Sequence, residues 1–173
     1  MIYFDHNATS ALSKTARDAW VSATEKYVAN ASSPHRLGAR AEVALSTARQ
    51  TTAGFLGCSE FDLVWTSGAT EGNNAIFHHA AQNSEGEAWI SAIEHPSAIA
   101  AAQRWFGKRL RFLNVTSNGV VDLDFLKDQL KQTRPAIVSI MAANNETGVL
   151  QPWKEALALC REFGVPFACD AAQ

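Results

Sequence analysis

From residue 63 onward, short apolar runs alternate with stretches of helical periodicity, and few folds accommodate that pattern. The apolar runs are Leu63–Thr66, Ala88–Ile93, Leu110–Val115, Ala136–Met141 and Val165–Cys169. Between them come helical faces: Ile76, Phe77, Ala80 and Ala81, then Ile99, Ala102 and Phe106 behind Pro96. Asp122 precedes Leu123, Leu126 and Leu130, and Pro152 precedes Trp153, Leu157 and Cys160. Proline fits the first helical turn and aspartate the N-cap, so the helix starts are marked. Strands separated by helices pair in parallel through right-handed crossovers, with helices on the two sheet faces. The pattern predicts an α/β fold, a three-layer sandwich around a mostly parallel sheet with five strands.

Before residue 63 the reading is helical. Residues 1–14 read as an extended N-terminal arm whose polar groups, from Asp5 to Ser10, could point into a site. Thr15–Tyr27 carries Ala16, Ala19, Trp20, Ala23 and Tyr27 on one helical face. Asn30-Ala31-Ser32-Ser33-Pro34-His35 is a loop, and Leu37–Phe55 is a long helix that Gly54 and Gly57 bring to an end. The domain expectation is the arm, 1–14, followed by a large domain over 15–173.

The stretch Thr66-Ser67-Gly68-Ala69-Thr70-Glu71 links the first apolar run to a helix start. A strand, a turn of small residues and a helix N-terminus together present free backbone N–H groups to an anion. Ala69 keeps the approach open and Thr70 adds a hydroxyl, so the stretch reads as a phosphate cradle. It is not a Walker loop, because no Gly-Lys-Ser/Thr follows. Ligands of parallel sheets bind at the C-terminal ends of the strands. The remaining polar groups fall at those ends: Glu94-His95, Asn144-Asn145-Glu146, and Asp170 with Gln173.

A length of 173 residues suits a single domain, and 47% hydrophobic residues with a net charge of −2 suit a globular one. No basic run marks a nucleic-acid partner, and no apolar stretch reaches bilayer length. The N-terminus lacks the basic start and apolar centre of a signal peptide, so a cytoplasmic location is expected. Cys58, Cys160 and Cys169 are odd in number and widely spaced, unlike a disulfide framework or a zinc site.

Taken in order, these stretches resemble the fold-type I pyridoxal-phosphate enzymes of the class V aminotransferase group, and within it the cysteine desulfurases that supply sulfur for iron–sulfur clusters. The matching segments are Tyr3-Phe4-Asp5-His6-Asn7-Ala8-Thr9, Asn30 to His35 with Gly38, and Thr66 to Glu71. Further matches are Glu94-His95, Asn144-Asn145-Glu146-Thr147-Gly148-Val149, and Asp170-Ala171-Ala172-Gln173. The resemblance implies that Ala69 and Thr70 hold the phosphate of pyridoxal 5′-phosphate. It implies that His95 lies against the pyridine face as a catalytic residue and that Asn145 binds the substrate carboxylate. Asp170 would pair with the pyridine nitrogen and Gln173 with the phenolic oxygen. The residue chemistry agrees: a carboxylate favours a cationic ring, and neutral amides bond oxygen atoms without adding charge. L-cysteine as substrate, a homodimer, and a sulfur-acceptor or scaffold protein are further implications.

The resemblance also implies a lysine that anchors the cofactor, downstream of Asp170 in a Ser-Gly-His-Lys segment, and farther on a sulfur-accepting cysteine and a carboxylate-binding arginine. The lysines here are Lys14, Lys26, Lys108, Lys127, Lys131 and Lys154, none of which matches. The expectation is an N-terminal portion of such an enzyme, truncated after the fifth strand of the large domain and incompetent alone. None of the three cysteines is expected to be the sulfur acceptor. Alternatives are a sister class V enzyme, such as a selenocysteine lyase or aminotransferase, or a non-catalytic cofactor-binding remnant. A generic phosphate-binding module would leave His95, Asn145 and Asp170 unexplained.

Overall fold

The structure, a computed structural model, describes residues 2–173. The chain divides into two compact units, one up to Trp65 and one from Thr66.

The first unit is helical. Helix α1 spans Lys14–Lys26, with the Ser13 hydroxyl capping the Ala16 N–H at 3.1 Å. Helix α2 spans Arg36–Leu56, capped by His35 Nδ1 on the Gly38 N–H at 3.1 Å. Gly57 closes α2 in the left-handed conformation, φ 67°, that glycine adopts without a Cβ clash. A 3₁₀ turn, Glu60–Asp62, follows, and the Arg49 guanidinium donates to the carbonyls of Glu60 and Leu63. No residue of α1 is buried, and α2 buries only Gly38, Ala41 and Ala53.

The second unit holds the sheet. After helix α3, Ala69–Asn83, the chain runs through β1 Ala88–Ser91, α4 Pro96–Phe106, β2 Leu110–Leu113, α5 Leu123–Gln132, β3 Ile137–Ser139, α6 Trp153–Glu162 and β4 Phe167–Ala168. The strand order is β2-β1-β3-β4, and every pairing is parallel. Alternate residues leave the sheet on opposite faces. Trp89 and Val138 join Leu126, Leu130, Ala156 and Cys160 in a core that α5 and α6 cover. Ala88, Ile90 and Ile137 join Phe77, Ala98, Ala102 and Phe106 in a second core beneath α3 and α4. This is the three-layer α/β arrangement that the alternation predicts.

One expected strand is absent. Residues 63–66 form no strand, so the described sheet has four strands and not five. Val64 is 82% and Trp65 54% exposed. An apolar run becomes a strand only where a neighbour completes its ladder of hydrogen bonds, and no described strand pairs with this one.

Candidate functional site

The site is built at the C-terminal ends of the strands, beginning with the entry into α3. The Glu71 carboxylate folds back to accept the Ser67 N–H at 2.7 Å and the Ser67 hydroxyl at 2.6 Å. Those two bonds hold its carboxyl below the usual carboxylate range. The Thr66 hydroxyl donates to the Gly68 carbonyl at 3.1 Å. The helical ladder begins with the N–H groups of Glu71 and Gly72 on that same carbonyl, each at 3.1 Å. The N–H groups of Ala69 and Thr70 therefore stand ahead of the ladder, and no side chain caps this end. A Cβ added at Gly68 would meet nothing within 4 Å, so the approach is open. Uncapped N–H groups at the positive end of a helix suit an anion.

One turn into α3, Asn73 connects this end to two other segments. Its amide nitrogen donates to Asp170 Oδ2 at 2.9 Å and to Ser97 Oγ at 3.1 Å. Asp170 lies just past β4, where its backbone carbonyl accepts the Ala142 N–H and its Oδ1 accepts the Ala172 N–H at 3.1 Å. His95 caps α4: its Nδ1 lies 3.1 Å from the Ser97 N–H nitrogen and 2.7 Å from the Ser97 hydroxyl. Residues from three separate segments are thus joined in one hydrogen-bonded chain, with Asp170 at one end and His95 at the other.

Asn145 is half-buried, on a loop that its neighbour shapes. Buried Asn144 accepts the N–H groups of Glu146 and Thr147 and the Thr147 hydroxyl on Oδ1, and donates to the Ile93 carbonyl at 3.0 Å. That is the Asx-type turn chemistry asparagine favours. Asn145 itself donates to Glu146 Oε1 at 3.0 Å. Gln173 is exposed, three residues past Asp170.

Sequence reasoning gave no role to Asn73, Ser97 or Glu94. Asn73 could have been found by spacing, since residues three apart on a helix share a face and Thr70 was already a candidate. Glu94 is buried, with Oε1 accepting the Ser91 hydroxyl at 2.5 Å and the Met141 N–H at 2.8 Å. Its other oxygen, Oε2, is buried without a partner. Burial pushes this carboxyl up to about 7, the two donors oppose the rise, and the Asp170 charge adds to it. Burial likewise pushes the Cys160 and Cys169 thiols up to about 11, with Glu94 and Asp170 adding to the effect at Cys169.

Among the described residues there is no cluster of three metal-ligating side chains, and no helix is long and apolar enough to cross a membrane. Chemically, the arrangement offers an anion subsite at the start of α3 and a carboxylate for a cationic group at Asp170.

Comparison with known proteins gives a consistent result. Residues 2–173 match the family model for class-V aminotransferases. A cysteine desulfurase of Gluconacetobacter diazotrophicus is 37% identical over 99% of this chain and 44% of its own length. A mitosomal cysteine desulfurase of Trachipleistophora hominis is 35% identical over 99% of this chain and 41% of its own length. Among solved structures, a NifS-like protein from Rickettsia africae superposes with a TM-score of 0.84 at 34% identity, covering 98% of this chain and 47% of that one. SspA, solved in complex with cysteine, superposes with a TM-score of 0.87 at 28% identity, covering 99% of this chain and 50% of that one. The chain therefore spans less than half the length of the curated relatives it matches.

Proposed function

The chain belongs to the class-V aminotransferase family, and from that premise we propose that it forms part of the pyridoxal 5′-phosphate-binding domain of a cysteine desulfurase. Such an enzyme converts L-cysteine to alanine and retains the sulfur for iron–sulfur cluster assembly or another transfer. The observation that carries the reading is the link through Asn73: it joins the open start of α3 to the Asp170 carboxylate and to the residue beside His95.

The residues present fit the cofactor. The N–H groups of Ala69 and Thr70 and the Thr70 hydroxyl would hold its phosphate, at a helix start with no side-chain cap. Asp170, already fixed by Asn73 and the Ala172 N–H, would hold the pyridine nitrogen in its protonated form. Gln173 would bond the phenolic oxygen, and His95 would lie against the ring. Asn145 would orient the substrate carboxylate. The bound cofactor supplies an electron sink that acidifies the α-carbon of an amino acid. A homodimer and a protein sulfur acceptor belong to the same proposal, as does a cytoplasmic location.

None of the six lysine positions follows Asp170, so the 173-residue polypeptide alone should release no sulfide from cysteine above free cofactor. General acid–base catalysis alone contributes roughly 10²–10⁴-fold. The test is a chimera in which this chain replaces the matching N-terminal part of the Gluconacetobacter enzyme. Sulfide release by the chimera from cysteine in the presence of an added thiol reductant, which supplies the two electrons that take the retained sulfur to sulfide, lost on Asp170→Ala, is the expected result. A folded chimera that releases none, or one indifferent to Asp170→Ala, would contradict the reading.

A further inference from the structure

The chain of hydrogen bonds from Asp170 to His95 has a direction, and that direction fixes where His95 carries its hydrogen. An ionised carboxylate only accepts, so the group of Asn73 that faces Asp170 Oδ2 at 2.9 Å must be the NH₂. This settles the amide orientation chemically, since oxygen and nitrogen are otherwise assigned from their partners. The second amide hydrogen goes to Ser97 Oγ at 3.1 Å. Ser97 Oγ is then an acceptor on that side, and its single hydrogen is left for its other neighbour, His95 Nδ1, at 2.7 Å. Nδ1 also receives the Ser97 backbone N–H at 3.1 Å. A ring nitrogen that accepts from two donors must keep its lone pair.

We propose that Asn73 and Ser97 are positioning residues that hold neutral His95 in the tautomer protonated at Nε2. The importance of this for catalysis rests on the proposed function, since it is the cofactor-facing role of His95 that gives the tautomer a use. Neutral His95 then presents a hydrogen-bond donor, and not a base, at the nitrogen that α4 does not engage. Both bonds to Nδ1 come from one residue at the helix start. The chain runs from the carboxylate to the imidazole, so the two candidate residues are coupled through two neutral side chains with no shared charge.

The test is the ring nitrogen spectrum of His95 in the uniformly ¹⁵N-labelled chain, read by two-bond nitrogen–proton correlation and assigned by its disappearance in His95→Gln. The expected pattern for the neutral ring is a pyridine-like Nδ1 and a pyrrole-like Nε2. Ser97→Ala removes the hydroxyl donor and leaves only the backbone N–H on Nδ1, so both resonances should move part of the way toward a tautomer mixture. Asn73→Ala frees the Ser97 hydroxyl to turn and should do the same, while Ser97→Thr, which keeps the hydroxyl, should restore the parent pattern. A parent chain with its hydrogen on Nδ1 overturns the proposal, whatever the variants do, and so does a parent pattern unchanged in both Ser97→Ala and Asn73→Ala. Cofactor binding is measured separately on the same samples. Loss of binding with the Nε2–H pattern intact would count against the proposed function and leave the assignment of Asn73 and Ser97 standing.

Discussion

Glu94 sits just past β1 with 4% of its surface exposed and one carboxyl oxygen without a donor. Burial, with a smaller contribution from Asp170, holds its carboxyl at about 7 against an ordinary 4.5. A carboxyl raised in this way binds its proton more tightly in the folded chain than in the unfolded one. Its effect on stability is therefore nil below pH 4.5, grows unfavourable as pH rises toward 7, and is constant above that. The total is on the order of 3 kcal/mol. Glu94→Gln stays neutral and keeps an oxygen for the Ser91 hydroxyl and the Met141 N–H. Urea unfolding across this range should show stability falling with pH in the parent and a flatter profile in Glu94→Gln. The same slope in both would remove Glu94 as its source. At the same scale, Cys160 and Cys169 remain thiols at neutral pH, with their values held at about 11. Neither is activated as a nucleophile.

Helix α2 shows how tightly some elements depend on single residues. A Cβ at Gly38 would come within 2.3 Å of the Ser33 carbonyl oxygen and 2.8 Å of that of Asn30. Both are backbone atoms of the 30–35 loop, so the loop or the helix must shift. Gly38→Ala should cost about 1–3 kcal/mol, the usual range for overpacking, and an unfolding midpoint equal to the parent's would show that the loop yields freely. The sequence made this element legible, along with the other α-helices, because their apolar periodicity is strong, and proline, aspartate or glycine marks an end of α2, α4, α5 and α6. It also made β1 to β4 legible, since Trp89, Leu113, Val138 and Phe167 lie in short apolar runs between helices. Residues 63–66 show the limit: Leu63, Val64 and Trp65 have strand composition, but pairing is a property of the neighbour and leaves no mark in the run itself. Asp170 and His95 stood out as polar residues at strand ends. Asn73 was marked only by its spacing from Thr70, and Ser97 not at all, because the bond between them joins residues 24 positions apart, a relation that only the fold creates.

At the scale of the whole molecule, the sheet unit carries all the candidate site residues: Ala69, Thr70, His95, Asn145, Asp170 and Gln173 all lie beyond Thr66. The first unit has a different character, with Trp20, Phe55, Phe61 and Val64 exposed and little buried in α1 or α2. On the proposed reading, the strand ends of the sheet unit would recognise a phosphate at α3 and a protonated pyridine at Asp170. Pyridoxine 5′-phosphate tests it most directly, because it carries both groups and has no aldehyde to react with surface lysines. Equilibrium dialysis against the purified chain should give one site. Binding should weaken roughly 10–100-fold on Asp170→Ala, as expected for a hydrogen bond to a charged group worth about 1.5–3 kcal/mol. Pyridoxine, lacking the phosphate, should bind more weakly to the parent chain as well. Equal binding of pyridoxine and its phosphate, or undiminished binding by the Asp170→Ala chain, would contradict the account.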